Sequence, residues 1–164
     1  MCMSNFQKGQ LVVHCRDGLA QIKDSTVMGE KEYFIVHLLK GTAENIYVPF
    51  DRADSIIRQL MTKDEANEII QYMKTVELEY NSNTKQRRDS LKRRLVSGNI
   101  KDVAFLFKQL YFYKAKNSDG SIKFGPVDLD MLNYANNNLL DEMALVYDIN
   151  RNVIESYVYD QLSR

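Results

Sequence analysis

The chain has 164 residues, 22 basic and 22 acidic, with 45% hydrophobic and 27% charged content. Those are ordinary proportions for a globular protein, with room for one medium domain or two small ones. No apolar run approaches the roughly 20 residues that cross a bilayer, the opening Met1-Cys2-Met3-Ser4 lacks the layout of a signal peptide, and two cysteines, Cys2 and Cys15, do not make a disulfide framework; the expectation is a reduced, cytoplasmic protein with no membrane partner.

Up to about residue 52 the texture is strand-like. The runs Gly9–His14, Gly18–Ile22, Glu32–Leu39 and Asn45–Pro49 are short and rich in β-branched and aromatic residues, and Gly9, Gly18, Gly29 and Gly41 punctuate them. Four such strands in about fifty residues predict a small barrel or curled sheet, with Val12, Ile22, Phe34, Val36 and Val48 as its core. His14 and Cys15 are adjacent, so in a strand they point to opposite faces and cannot converge on one ion.

Beyond residue 52 the period becomes helical. Thr62-Lys63-Asp64-Glu65 is a capping box, and it opens a helix whose buried face is Ala66, Ile69, Ile70 and Met73. A basic helix anchored by Leu91 and Leu95 follows. Ser97-Gly98-Asn99 breaks the chain, and Asn99 caps a helix carrying Val103, Leu106, Phe107, Leu110 and Tyr111. The cluster Tyr111-Phe112-Tyr113 reads as core rather than as a platform for stacked bases. Asn117-Ser118-Asp119-Gly120 is a turn, and Pro126 stands at the first position of a helix through Leu132, Ala135, Leu139 and Met143. Asp128, Asp130, Asp141 and Glu142 fall at helical positions that suit caps and solvated faces. A last amphipathic piece spans Val153 to Leu162. The domains expected are therefore 1–52, a β module, and 53–164, a helical bundle; the fold class is α+β.

Catalytic motifs are missing from the sequence: it has no glycine-rich phosphate loop, no His-Glu-x-x-His, no Cys-x-x-Cys and no Gly-x-Ser-x-Gly. A non-enzymatic protein is expected, with no cofactor, no metal and no small-molecule substrate. The feature that stands out is Lys85 to Arg94, where Lys85, Arg87, Arg88, Lys92, Arg93 and Arg94 face a single acid, Asp89. Without this stretch the chain would hold 16 basic and 21 acidic residues. A compact cationic patch on an anionic body attracts a polyanion, most simply a nucleic-acid backbone; the bland alternative is a solvated helix face. On a helical wheel Arg88 and Lys92 flank the leucine stripe on one side, Arg87 and Arg94 on the other. Such shoulders suit phosphate contact and carry no arrangement for reading bases.

Several stretches, in order along the chain, resemble the CarD family of bacterial RNA polymerase-binding transcription regulators. They are Phe6-x-x-Gly9-x-x-Val12-Val13 with Gly18, Gly29-Glu30-Lys31-Glu32-Tyr33-Phe34-Ile35-Val36, Ile46-Tyr47-Val48-Pro49, Ser97-Gly98-Asn99-x-x-x-Val103-Ala104, and Met131-Leu132-x-x-Ala135-x-x-x-Leu139-x-x-Glu142-Met143-Ala144. The first module also looks like the polymerase-interacting domain of transcription-repair coupling factors. The resemblance implies a Tudor/SH3-like β module that docks on the RNA polymerase β subunit, and a helical domain that lies against promoter DNA and modulates open-complex stability. Edge-strand pairing by Asn45, Ile46, Tyr47 and Val48, stopped by Pro49, is the docking mode expected. The family commonly places a tryptophan just ahead of the basic helix as a minor-groove wedge. This chain has no tryptophan, and the position falls at about Thr84. His14-Cys15 likewise stands where the family usually has Tyr-Pro. A polymerase adaptor with no DNA role, or an RNA- or ribosome-binding protein, are the alternatives.

Overall fold

The computed structural model describes residues 6–40, 44–79, 81–97, 99–117, 120 and 122–163. Cys2, Gly41, Gly98, Ser118 and Asp119, which carried expectations above, lie outside them. The chain divides between Leu60 and Met61 into two compact units.

The first unit is an antiparallel sheet of β1 (Leu11–His14), β2 (Gly18–Met28), β3 (Lys31–Leu38), β4 (Asn45–Pro49) and β5 (Ile57–Gln59), in the order β4-β3-β2-β1-β5. β2 and β3 form a long hairpin closed by Gly29-Glu30 between the paired Met28 and Lys31. Gly29 has φ +67°, the left-handed value that the first position of a tight hairpin turn demands and that only glycine adopts freely. A bulge between Ile22 and Asp24 breaks the register and bends β2. Alternation does the rest: Val12, Ala20, Ile22, Phe34, Val36 and Val48 are buried on one face. Phe34 stacks on Phe50 at 4.1 Å and meets Phe6 edge-on at 6.1 Å, closing the core. All five expected core residues are in place.

Sequence texture alone conceals β5 and so ends this module near residue 52. After β4 a 3₁₀ turn (Phe50–Arg52) and the four-residue helix α1 (Ala53–Ile56) lead into β5, which returns to pair with β1 through Val12↔Gln59, Val13↔Arg58 and His14↔Ile57. Ala53 and Ile57 complete the same core. The sheet thus claims the chain as far as Leu60.

The second unit holds α2 (Lys63–Thr75), α3 (Thr84–Val96), α4 (Ile100–Asn117), α5 (Pro126–Tyr147) and α6 (Arg151–Leu162). The capping box forms as expected: Thr62 Oγ1 accepts the Glu65 N–H at 3.1 Å and Glu65 Oε1 accepts the Thr62 N–H at 3.2 Å. Asn83, Asn99 and Asn150 cap α3, α4 and α6 through their side-chain oxygens. α4 and α5 pack on each other and on the remaining helices, around Leu106, Phe107, Leu110, Leu139, Leu140 and Met143, which are all inaccessible to solvent. α6 buries Ile154, Val158 and Leu162, one turn apart, and leaves Val153 exposed.

Candidate functional site

The basic helix is divided against itself. α3 exposes Lys85, Gln86, Asp89, Lys92, Arg93 and Val96 along one face and turns Arg87, Arg88, Leu91, Arg94 and Leu95 inward. Arg87 is 4% exposed. Its guanidinium donates to the carbonyls of Asn81 (3.2 Å) and Lys123 (2.7 Å) and lies 5.2 Å from the centre of the Tyr113 ring. A cation so held tolerates burial because carbonyl oxygens and a π face replace part of its water.

Arg88 reaches across to α5. Its Nη2 donates to Asp128 Oδ2 at 2.7 Å and its Nε to both carboxylate oxygens at 3.2 and 3.3 Å. Asp128 is 1% exposed and also accepts the Gly125 N–H at 2.9 Å, so one carboxylate caps α5 and anchors α3. Burial pushes the Asp128 pKa up, but the bonds from Arg88 and Gly125 together outweigh it and hold the group below the usual carboxylate range; the same pair raises Arg88. Arg94 pairs with Glu79 (3.0 Å) and Asp102 (3.1 Å) and lies 3.8 Å from the centre of the Phe105 ring.

Of the six cations singled out in the sequence, Arg87, Arg88 and Arg94 therefore hold the helix in place. Lys85, Lys92 and Arg93 stay exposed and make no ion pair among the described residues. The wheel put Arg87 on a solvated shoulder; it lies within the buried stripe, one turn before Leu91. Thr84 is half-buried and opens the helix behind the Asn83 cap.

The segment joining α2 to α3 is held by side chains that no sequence motif singles out. Lys108 donates to the Val76 carbonyl at 2.9 Å, Gln109 accepts the Glu79 N–H at 2.8 Å, and the Tyr113 hydroxyl donates to the Glu79 carbonyl at 2.7 Å. Burial lowers the Lys108 pKa. Glu142, expected on a solvated face, is fully buried and accepts the Met61 N–H at 2.7 Å. Asp128 is a cap as expected, yet it is buried as well. The only sequence signal for these groups was their position on apolar helix faces, a pattern that default assignment of charge to solvent overrides.

In the first unit β4 lies at one edge of the sheet, paired to β3 from Tyr33↔Pro49 to His37↔Asn45, and its other side pairs with no strand among the described residues. Asn45 and Tyr47 are exposed, Ile46 is half-buried, and Val48 fills the core. Pro49 ends the strand. At the last residue of β1, His14 is a structural residue: its Nδ1 accepts the Arg16 and Asp17 N–H groups at 3.2 Å each and lies 3.3 Å from the Asp17 carboxylate. Burial lowers its pKa more than Asp17 raises it, which keeps the ring neutral and able to accept. Cys15 is exposed and lies in the turn just past the end of β1, so strand alternation does not govern the pair. Among the described residues no cluster of three or more His, Cys, Asp or Glu could hold a metal, and no helix is long and apolar enough to cross a membrane.

A sheet with an open edge and a helical unit with a cationic outer stripe define an interaction protein of two modules. Residues 6–61 match the CarD-like/TRCF RID domain and residues 68–159 the CarD C-terminal domain. The chain belongs to the CarD family, whose domains are regulatory interaction modules of RNA polymerase-interacting transcription regulators. No curated protein matches it.

Proposed function

We propose that the protein docks on the β subunit of bacterial RNA polymerase through the open edge of β4 and rests α3 on the phosphates of promoter DNA, so modulating open-complex stability in the cytoplasm. Backbone groups of Asn45 to Val48 supply the pairing, with Tyr47 outward and Val48 fixing the strand from beneath. The observation that carries the DNA part is the division of cations on α3: three arginines spent on seating the helix, and Lys85, Lys92 and Arg93 left outward on one face. On a seated helix the backbone needs no further ordering when the cations meet phosphates, which leaves only the side-chain cost, and such contacts position without specifying sequence. Free-DNA binding is then weak, and docking on polymerase raises the local concentration of promoter enough for it to matter.

The test is Lys85→Glu/Lys92→Glu/Arg93→Glu in promoter complexes at several salt concentrations. The triple variant should bind polymerase like the native protein, shorten the open-complex lifetime, and flatten the logarithmic salt slope of DNA affinity by about 3, close to one for each phosphate left without its cation. Unchanged lifetimes with polymerase binding intact would favour the adaptor reading, which the absence of tryptophan also supports.

A further inference from the structure

Among the described residues, four side chains of the flanking and neighbouring helices bond the backbone of the segment joining α2 to α3, and three of them come from α4. Lys108 sits at the C-terminal end of α2, where its ammonium meets the Val76 carbonyl and the negative end of the helix dipole. Gln109 and Tyr113 take the N–H and the carbonyl of one residue, Glu79. Arg87 takes the carbonyl of Asn81, two residues before the Asn83 cap of α3.

Beneath the segment is a cavity of about 50 Å³ whose lining includes Glu79, Asn81, Arg87, Phe105, Gln109 and Tyr113. Glu77, Leu78 and Glu79 are themselves exposed. Directed polar bonds over a partly empty space therefore hold the described part of the segment. Lys108, Gln109 and Tyr113 are 8%, 2% and 4% exposed, so their own positions are fixed by the core and they act as a rigid template. A backbone held this way has one geometry while its bonds last and many once they break.

We propose that Gln109 and Tyr113, with Lys108, are positioning residues for DNA engagement. They order the approach to α3, and with it the first turn that carries Lys85, before any polyanion arrives. The inference rests on the reading of α3 as a phosphate-contacting helix. Binding would otherwise bear the ordering cost, and apparent affinity falls with the fraction of molecules already in the competent state.

The experiment uses the full chain carrying Gln109→Met/Tyr113→Phe, a change that alters no charge and keeps the aromatic ring beside Arg87. Two readouts are taken together: hydrogen exchange at the Glu79 amide, and affinity for a labelled DNA duplex at low ionic strength with its salt slope. Exchange at Glu79 should accelerate, and affinity should fall about tenfold, the scale of a local equilibrium shifted by removing two hydrogen bonds. The salt slope should not change, because the same cations meet the same phosphates. Tyr113→Phe alone, the milder change, should move both readouts in the same direction by less, and it serves if the double variant fails to fold. Faster exchange with unaltered affinity would overturn the positioning role, as would unaltered exchange. Failure of the underlying DNA reading looks different: Lys85→Glu/Lys92→Glu/Arg93→Glu would then match the native affinity and slope, and the inference would fall with it.

Discussion

Replacing Arg88 by methionine tests how the cationic helix is seated. The change keeps most of the side-chain stem and removes the guanidinium that donates to both oxygens of Asp128. Asp128, at 1% exposure, would keep only the Gly125 N–H. Breaking a buried pair from one side costs about 3–5 kcal/mol because it strands the other charge. Arg88 retains 23% of its side-chain exposure, so water reaches the pair and the lower end, about 3 kcal/mol, is expected. At roughly 4–8 °C per kcal/mol for a unit of this size, the helical signal should melt about 12–24 °C lower.

The pH dependence gives a second and sharper readout. In the native protein Asp128 has a folded pKa below its unfolded value of about 3.9. Its contribution is therefore present above that value and lost as pH falls through the folded pKa. In Arg88→Met only the Gly125 N–H and the Arg87 charge still oppose burial, so the folded pKa should rise and the loss of stability toward acid pH should shrink or reverse. Thermal unfolding followed by far-UV circular dichroism from neutral to acid pH separates the two profiles. A loss no larger than that of Lys92→Met, or an acid profile parallel to the native one, would refute the claim that Arg88 and Asp128 seat α3.

Leu91→Ala should destabilise the helical unit by about 2–5 kcal/mol, and Leu95→Ala, at a half-buried position, by less; denaturant titration ranks them. Asp148 closes α5 in the left-handed region at φ 55°, so Asp148→Gly should raise stability by about 0.5–1 kcal/mol, read as a higher melting temperature. Lys108 has a folded pKa lowered by burial, so the unfolded chain binds the proton more tightly and native stability should rise with pH between the folded value and about 10.4. Lys108→Met should abolish that rise, which unfolding at mildly alkaline pH would detect.

The fold was largely legible because its signals are local. Alternation exposed the buried faces of β1 to β4, a capping box marked α2, and the spacing of Leu132, Ala135, Leu139 and Met143 marked α5. β5 was hidden since three residues, Ile57 to Gln59, are too few to show a period and lie in helical texture; only pairing with β1, over forty residues earlier, makes them a strand. The site was half legible. Charge density located α3, yet which cations face outward depends on partners distant in sequence, Asp128 for Arg88 and the Lys123 carbonyl for Arg87. A helical wheel sends charge to solvent by default, and nothing local to Arg87 signals the carbonyls and the tyrosine ring that accept it.

The most direct measurement is proximity of α3 to DNA in the assembled complex. An iron chelate is attached to Lys92→Cys, and in parallel to Glu68→Cys on the exposed side of α2, with Cys2 and Cys15 replaced by serine. Each protein is bound to RNA polymerase on a promoter, and hydroxyl-radical cleavage of the DNA is mapped. Phosphate contact by α3 predicts cleavage from Lys92→Cys over a short, defined stretch of promoter, stronger than from Glu68→Cys and dependent on polymerase. Full occupancy of polymerase with no DNA cleavage from Lys92→Cys would contradict it.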